Sequence, residues 1–170
     1  MQNAKDTFYE LLRGRLKAIN PDRTISVRGV VRPGVLVEEN ELQLETTVAM
    51  PDCFRLSWTE VGTAVEGALP LVTLTCAIEY ETAGSGASAG MDRGRALAAM
   101  DGELLSALNQ PPHSSPKTNY AALARGGAAV SMATKIWWGA VEFGKTVVKD
   151  DRIGRSATVA VMCYQEAGEL

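Results

Sequence analysis

The stretch from Leu71 to Leu108 constrains this chain more than any other, because within it the hydrophobic period changes from two residues to between three and four. Val72, Leu74, Cys76, Ile78 and Tyr80 alternate with Thr73, Thr75, Ala77, Glu79 and Glu81, the pattern of a strand with one buried face. From Asp92 onward Leu97, Met100, Leu104, Leu105 and Leu108 recur at three- and four-residue steps, which puts them on one stripe of a helix. A helix stripe of that width fits the apolar face of the strand. The expectation is an α+β domain in which this pair forms the centre.

A chain of 170 residues, 46% hydrophobic and 22% charged, has the size and composition of one folded domain over residues 1–170. Its net charge of −3 gives no reason to expect nucleic acid as the main partner, since phosphate binding needs a concentrated basic surface. The distribution of charge says more than the sum. Up to Arg32 the cations Lys5, Arg13, Arg15, Lys17, Arg23, Arg28 and Arg32 dominate, whereas Glu38, Glu39, Glu41, Glu45, Asp52, Glu60 and Glu66 face only Arg55. Two patches of opposite sign are either complementary halves of a repeated contact or one solvated dipolar surface. Cys53, Cys76 and Cys163 are odd in number and widely spaced, which reads as three apolar thiols in a reducing compartment. No apolar run is long enough to span a bilayer, and the first ten residues lack the layout of a signal peptide, so a soluble cytoplasmic protein is expected.

Taken in order, the chain predicts a helix over about Lys5–Ile19, with Phe8, Leu11, Leu12, Leu16 and Ile19 on one face, Thr7 and Glu10 at capping-box spacing or else Asn3 or Asp6 as the cap, and Pro21 as its stop. Strands are expected at Thr24–Val31, Val35–Val37, Leu42–Met50 and Cys53–Glu60, with an acidic turn at Glu38–Glu41 and a connection over Gly62–Pro70. Past the central helix, Pro111, Pro112, Pro116, Gly126 and Gly127 mark Asn109–Ala133 as a long exposed excursion. Lys135–Phe143 and Ala157–Gln165 read as closing strands around a polar turn at Asp150–Gly154. The layout is a single α+β domain with a mostly antiparallel sheet, two main helices and a long loop after the second.

Gly139–Thr146 matches the phosphate-loop string G-x-x-x-x-G-K-[ST] letter for letter. Its mechanism needs a compact loop opening directly into a helix, and Val147–Arg152 is a poor helix, so Lys145-Thr146 reads as the end of a β segment. The glycine-rich run Gly84–Gly90 follows a strand that alternates with Glu79 and Glu81, unlike the continuously apolar parallel strand of a dinucleotide fold. His113 is the single histidine and has no ligand or nucleophile at metal-site or catalytic spacing. The acids at Glu38–Glu41 and Asp150-Asp151 lack the spacing of a calcium loop. No catalytic residue, cofactor or metal is therefore expected. Trp137 and Trp138 are strand neighbours and point to opposite faces. Either the two helices cover different faces, or Trp137 or Trp138 awaits a subunit contact.

An opening helix, then Arg32-Pro33-Gly34-Val35, the acidic Glu38-Glu39-Asn40-Glu41, Phe54–Trp58, a central strand Cys76–Thr82, a helix Arg93–Leu108 and a closing Tyr164-Gln165-Glu166 resemble the tail terminator, or tail completion, proteins of long-tailed bacteriophages. The resemblance covers most of the chain by order of elements, and the Asn109–Ala133 excursion departs from it. It implies a structural protein with no catalytic residue and no cofactor, present in the assembled tail. It implies a homo-oligomeric ring, a hexamer, that ends the tail tube and offers a surface to the head connector. The tail tube protein and the head–tail connector are then the partners, with neither nucleic acid nor membrane. Arg13, Arg28, Arg32, Glu38, Glu39, Glu41 and Trp137 are the candidate interface residues. An adaptor of a tail-like injection or secretion apparatus is the alternative, and a small nucleotide-binding protein using Gly139–Thr146 is the reading from another class.

Overall fold

Helix α1 (Gln2–Ile19) opens a computed structural model that describes residues 1–41, 51–65, 69–85, 91–166 and 169. The helix begins before the position that Thr7 and Glu10 would cap. Thr7 lies inside it, buried, with its hydroxyl donating to the Asn3 carbonyl at 2.6 Å. Ala4, Phe8, Leu12 and Leu16 form the buried stripe, while Ile19 at its end is exposed.

The expected strand Thr24–Val31 is instead a hairpin. Strand β1 (Thr24–Val27) pairs antiparallel with β2 (Val30–Pro33) through a turn in which Arg28 and Gly29 both take positive φ, +51° and +79°. Two positive values match the right-handed twist of the flanking strands, and the non-glycine residue there is the strained one. Strand β3 (Val35–Val37) follows, then α2 (Glu38–Glu41), a single helical turn where an acidic turn is expected. The expected strand Leu42–Met50 lies outside the described residues.

The main sheet has the order β3-β4-β5-β10-β7-β6, with β4 (Phe54–Val65), β5 (Pro70–Thr82), β10 (Arg152–Tyr164), β7 (Val130–Trp138) and β6 (Ser114–Asn119). Short strands β8 (Glu142–Phe143) and β9 (Val147–Lys149) continue the line of β7 along β10. Among the described residues only the β3–β4 pair is parallel, so the sheet is mixed and the fold is α+β. Of the expected connection Gly62–Pro70, β4 takes in Gly62–Val65 and β5 starts at Pro70, and β10 starts at Arg152, inside the expected polar turn. The Asn109–Ala133 excursion is corrected too: it contains β6, a 3-10 turn at Leu123–Arg125 and the start of β7. A proline-bearing strand survives there because β6 is an edge, where Pro116 has no ladder bond to lose.

Helix α3 (Asp92–Asn109) lies beside α1, and both pack on the same face of the sheet. Phe8 of α1 sets its ring 5.9 Å from Trp58 and 6.0 Å from Trp138, and the Leu108 carbonyl of α3 accepts from Trp138 Nε1 at 3.0 Å. Leu97, Met100, Leu104 and Leu108 meet Val72, Leu74, Cys76, Ile78 and Tyr80 in one core, as the two periods require. Each such side chain contributes roughly 1.5–3 kcal/mol by leaving water. Leu105 departs from the stripe and is 43% exposed. The three cysteines are buried thiols, and no disulfide joins them. No helix among the described residues is long and apolar enough to cross a membrane.

Candidate functional site

The phosphate-loop string is the first feature the fold decides. Gly144 donates its N–H to the Ser156 carbonyl at 2.8 Å, and Gly139 donates to Ala160 at 3.0 Å, so both glycines are tied into the ladder with β10. Gly144-Lys145-Thr146 leads into β9 and not into a helix. Backbone donors already bonded to the sheet cannot converge on a phosphate. Likewise β5, before the second glycine run, is antiparallel to both its neighbours, which is not the parallel setting of a dinucleotide fold.

Among the described residues no three His, Cys, Asp or Glu side chains gather as a metal-binding group. His113 is exposed, with Nε2 3.0 Å from the Asn109 carbonyl. An open cleft of about 220 Å³ is lined by Asn20, Asp22, Arg23, Thr24 and Asp52. Arg23 there is committed to Glu103 at 2.6 Å and to the Asp52 carbonyl at 3.0 Å. Burial alone would raise the Glu103 carboxyl, but hydrogen bonds from Arg23 and Asn20 and the Arg23 charge leave it below the ordinary range.

The charged candidates are placed as follows. Arg13 pairs with Glu10 at 2.5 Å and stacks on the Tyr9 ring, and Glu39 takes Lys5 at 3.0 Å. Arg15 donates to the carbonyls of Ala107, Gln110 and Pro112 and lies 5.0 Å over the Trp138 ring. Much of the N-terminal positive charge is thus spent inside the protomer. Arg28 stands exposed at the β1–β2 turn, Arg32 is half-buried on β2, Glu38 is exposed at the start of α2, and Glu41 is the last residue of that helix.

Trp138 is buried in the core, and Trp137 stands on the opposite face with Met162 beside it in the register and its ring 5.5 Å from Tyr164. Since both helices lie on the other side, the alternative in which they cover different faces does not hold. The Trp137 face carries Thr73, Thr75, Ala77, Thr158, Ala160 and Met162 at one end and the cross-strand pairs Arg55–Glu79 and Arg152–Glu81 toward the other.

Both ends of the sheet carry exposed valines. At the β4–β5 end, a bulge between Trp58 and Glu60 re-aims β4, and Val61 and Val65 are 54% and 84% exposed. At the opposite end, beside Thr82, Val147 and Val148 of β9 are 61% and 71% exposed. The β1–β2 hairpin is rooted near that same end, through Arg23, Asp52 and Glu81, and exposes Val30 and Val31.

No family model matches the chain, and no curated protein matches it either. What the molecule does is therefore argued from these surfaces.

One group of residues carries no mark in the sequence. Lys117 on β6 is fully buried, its Nζ 2.6 Å from Glu169 Oε2 and 2.6 Å from the Tyr164 carbonyl. Glu169 Oε1 also accepts from the Met1 amino group at 3.2 Å. Glu166 Oε1 accepts from the Thr134 N–H at 2.8 Å and hydroxyl at 2.6 Å. Burial alone would raise the Glu169 carboxyl, yet Lys117, the Glu166 N–H and the amino group hold it low; the Thr134 donors do the same for Glu166. Lys117 sits among prolines and serines, and only the Glu-x-x-Glu spacing of Glu166 and Glu169 hints at a paired receptor.

Proposed function

We propose that the chain is a structural assembly protein of a phage or phage-like tail, closing into a homohexameric ring that ends the tail tube and joins it to the head connector. The observation that supports this reading is the exposed valines at both ends of the main sheet, Val61 and Val65 at one and Val147 and Val148 at the other, with Val30 and Val31 of the separate β1–β2 hairpin rooted near the second. β-branched side chains exposed together at such levels gain free energy when covered. Two different patches on one protomer make a head-to-tail contact, and a head-to-tail contact closes into a ring when its rotation permits. Trp137, with Tyr164, supplies an aromatic anchor on the uncovered face for the tube or the connector. The resemblance of the order of elements to that of tail terminator proteins adds to this. An adaptor of a tail-like injection apparatus would use the same surfaces.

Light scattering and negative-stain electron microscopy test the proposal, with and without tail tubes present. Rings of six are expected, and Val61→Thr/Val65→Thr and Val147→Thr/Val148→Thr should each abolish them while leaving the melting temperature within a few degrees. A wild-type chain that stays monomeric at every concentration and caps no tube would overturn the reading.

A further inference from the structure

We infer that the outer edge of β4 from Val61 to Val65 is a docking site for an extended segment of a partner protein, which adds to the main sheet as an antiparallel strand and sets a lysine or arginine against Glu60. The inference concerns the main-chain groups of a single copy and does not rest on the ring reading. Strand β3 covers β4 only at Phe54–Leu56, and from Thr59 to Val65 every residue is exposed.

The hydrogen-bond directions can be followed across the sheet. Gly139 donates its N–H to the Ala160 carbonyl at 3.0 Å, so the main chain of Ala160 faces β7 and that of its cross-strand neighbour Thr75 faces β4. Gln165 donates to the Pro70 carbonyl at 3.1 Å, which turns Pro70 toward β10 and its neighbour Val65 outward. Glu60, Gly62 and Ala64, in register with Thr75, Thr73 and Leu71, therefore spend their N–H and C=O groups on β5, while Val61, Thr63 and Val65 turn theirs away from it. Among the described residues those outward groups have no partner. Such an edge is a template for another strand, and the side chains beside it set which strand fits. Val61 and Thr63 stand beside the core residues Leu74 and Val72 on the helix side, so β-branched apolar residues of the incoming strand continue that face. On the other side Gly62 and Ala64 leave room for larger side chains, and Glu60 is the single charge between Ser57 and Val65. Two β4 edges would bring together two carboxylates and no cation, so a second copy's β4 fits worse than a segment that supplies one.

The test uses the isotope-labelled full-length chain and the hexapeptide VTVYVK, read by NMR and amide hydrogen exchange. In the free chain the amides of Val61, Thr63 and Val65 should exchange roughly tenfold or more faster than those of Glu60, Gly62 and Ala64. Millimolar peptide should shift the first three and slow them about twofold or more. The same peptide N-methylated at its three valines loses the donors that reach β4 and should bind roughly tenfold more weakly, as it should to Thr63→Pro, which removes an outward N–H where an edge strand tolerates proline. Glu60→Lys should reverse the preference, favouring VTVYVE over VTVYVK. Outward amides already protected in the free chain, protection that rises with protein concentration and so marks a second copy's β4, shifts confined to other residues, or no shift at millimolar peptide would each overturn the inference.

Discussion

Lys117→Met is the substitution whose consequence follows most directly from the structure. Lys117 and Glu169 have side chains 0% and 2% exposed at 2.6 Å, so solvent screening of the pair is slight. Replacing the lysine leaves Glu169 buried with one fewer cation, and breaking a pair of this kind costs about 3–5 kcal/mol. For a chain of this size that corresponds to roughly 10 °C in melting temperature. Glu169→Leu should cost a similar amount by stranding Lys117. The double variant Lys117→Met/Glu169→Leu removes both charges; what it strands is the neutral Tyr164 carbonyl and Glu166 N–H and the Met1 amino group, which is half-exposed and can turn to water. It should lose about 1–3 kcal/mol, clearly less than the sum of the two single losses. Urea unfolding followed by circular dichroism measures all four proteins, with the m-value held as the check on two-state behaviour. If the double variant loses the sum of the two single losses, the two charges are not coupled and the account of this cluster is wrong.

Other substitutions probe the packing independently. Gly154→Ala would place a Cβ 2.8 Å from the Tyr80 carbonyl and should cost about 1–3 kcal/mol in the same unfolding assay. Gly14→Ala on α1 meets nothing within 4 Å and should instead stabilise by up to about 1 kcal/mol. Arg15→Met loses three hydrogen bonds to carbonyls, those of Ala107, Gln110 and Pro112, and the cover over Trp138, with an expected loss of about 1.5–3 kcal/mol and a change in tryptophan fluorescence. Acid should act through Glu103 and Glu169. Their folded-state pKa values lie below the ordinary carboxyl value of about 4.3, so their contribution is complete above that pH and is lost as pH falls through the depressed values. Asp6, raised by burial, works in the opposite direction, so the melting temperature should be level from pH 7 to about 5 and fall below about 4. A melting temperature unchanged down to pH 2 would contradict the two depressed carboxyls.

What could be read in advance was what a period can encode. Alternation in Val72–Thr82 and the stripe through Leu97, Met100, Leu104 and Leu108 are one-sided patterns, and a sheet covered by helices on one face makes them so. Leu105 lies on the expected stripe yet is exposed, because the apolar row is wider than the contact α3 makes with the sheet. The Arg28-Gly29 turn carries no sequence signature, since Arg-Gly has none of the Asn-Gly chemistry that marks such turns, while Thr24–Val31 looks continuous in β propensity. Ser114–Asn119 reads as loop from its composition, and becomes a strand only because β7 lies beside it. The Thr7–Glu10 spacing suggested a helix start that Thr7, buried within α1, does not supply. Lys117 was illegible for a plainer reason. Its counter-charge is 52 residues away in sequence, and no local pattern announces a contact of that range.

The β6 edge of the sheet and the ends of its strands differ in a way that bears on how copies can meet. At the β6 edge, Thr118 donates its N–H to the Thr7 hydroxyl of α1 at 2.9 Å, and Pro116 offers no N–H, so that edge is closed to another strand. Edge-to-edge growth through β6 would have to break the α1 contact and bury a proline. The ends of the strands carry no such protection among the described residues, since Val61, Val65, Val147 and Val148 project from them. Association that uses the ends keeps every closed edge intact and covers apolar surface, whereas association through β6 does neither. Because its two patches differ, the first route is head-to-tail and closes into a ring only where the rotation between copies permits, running on as an open filament otherwise.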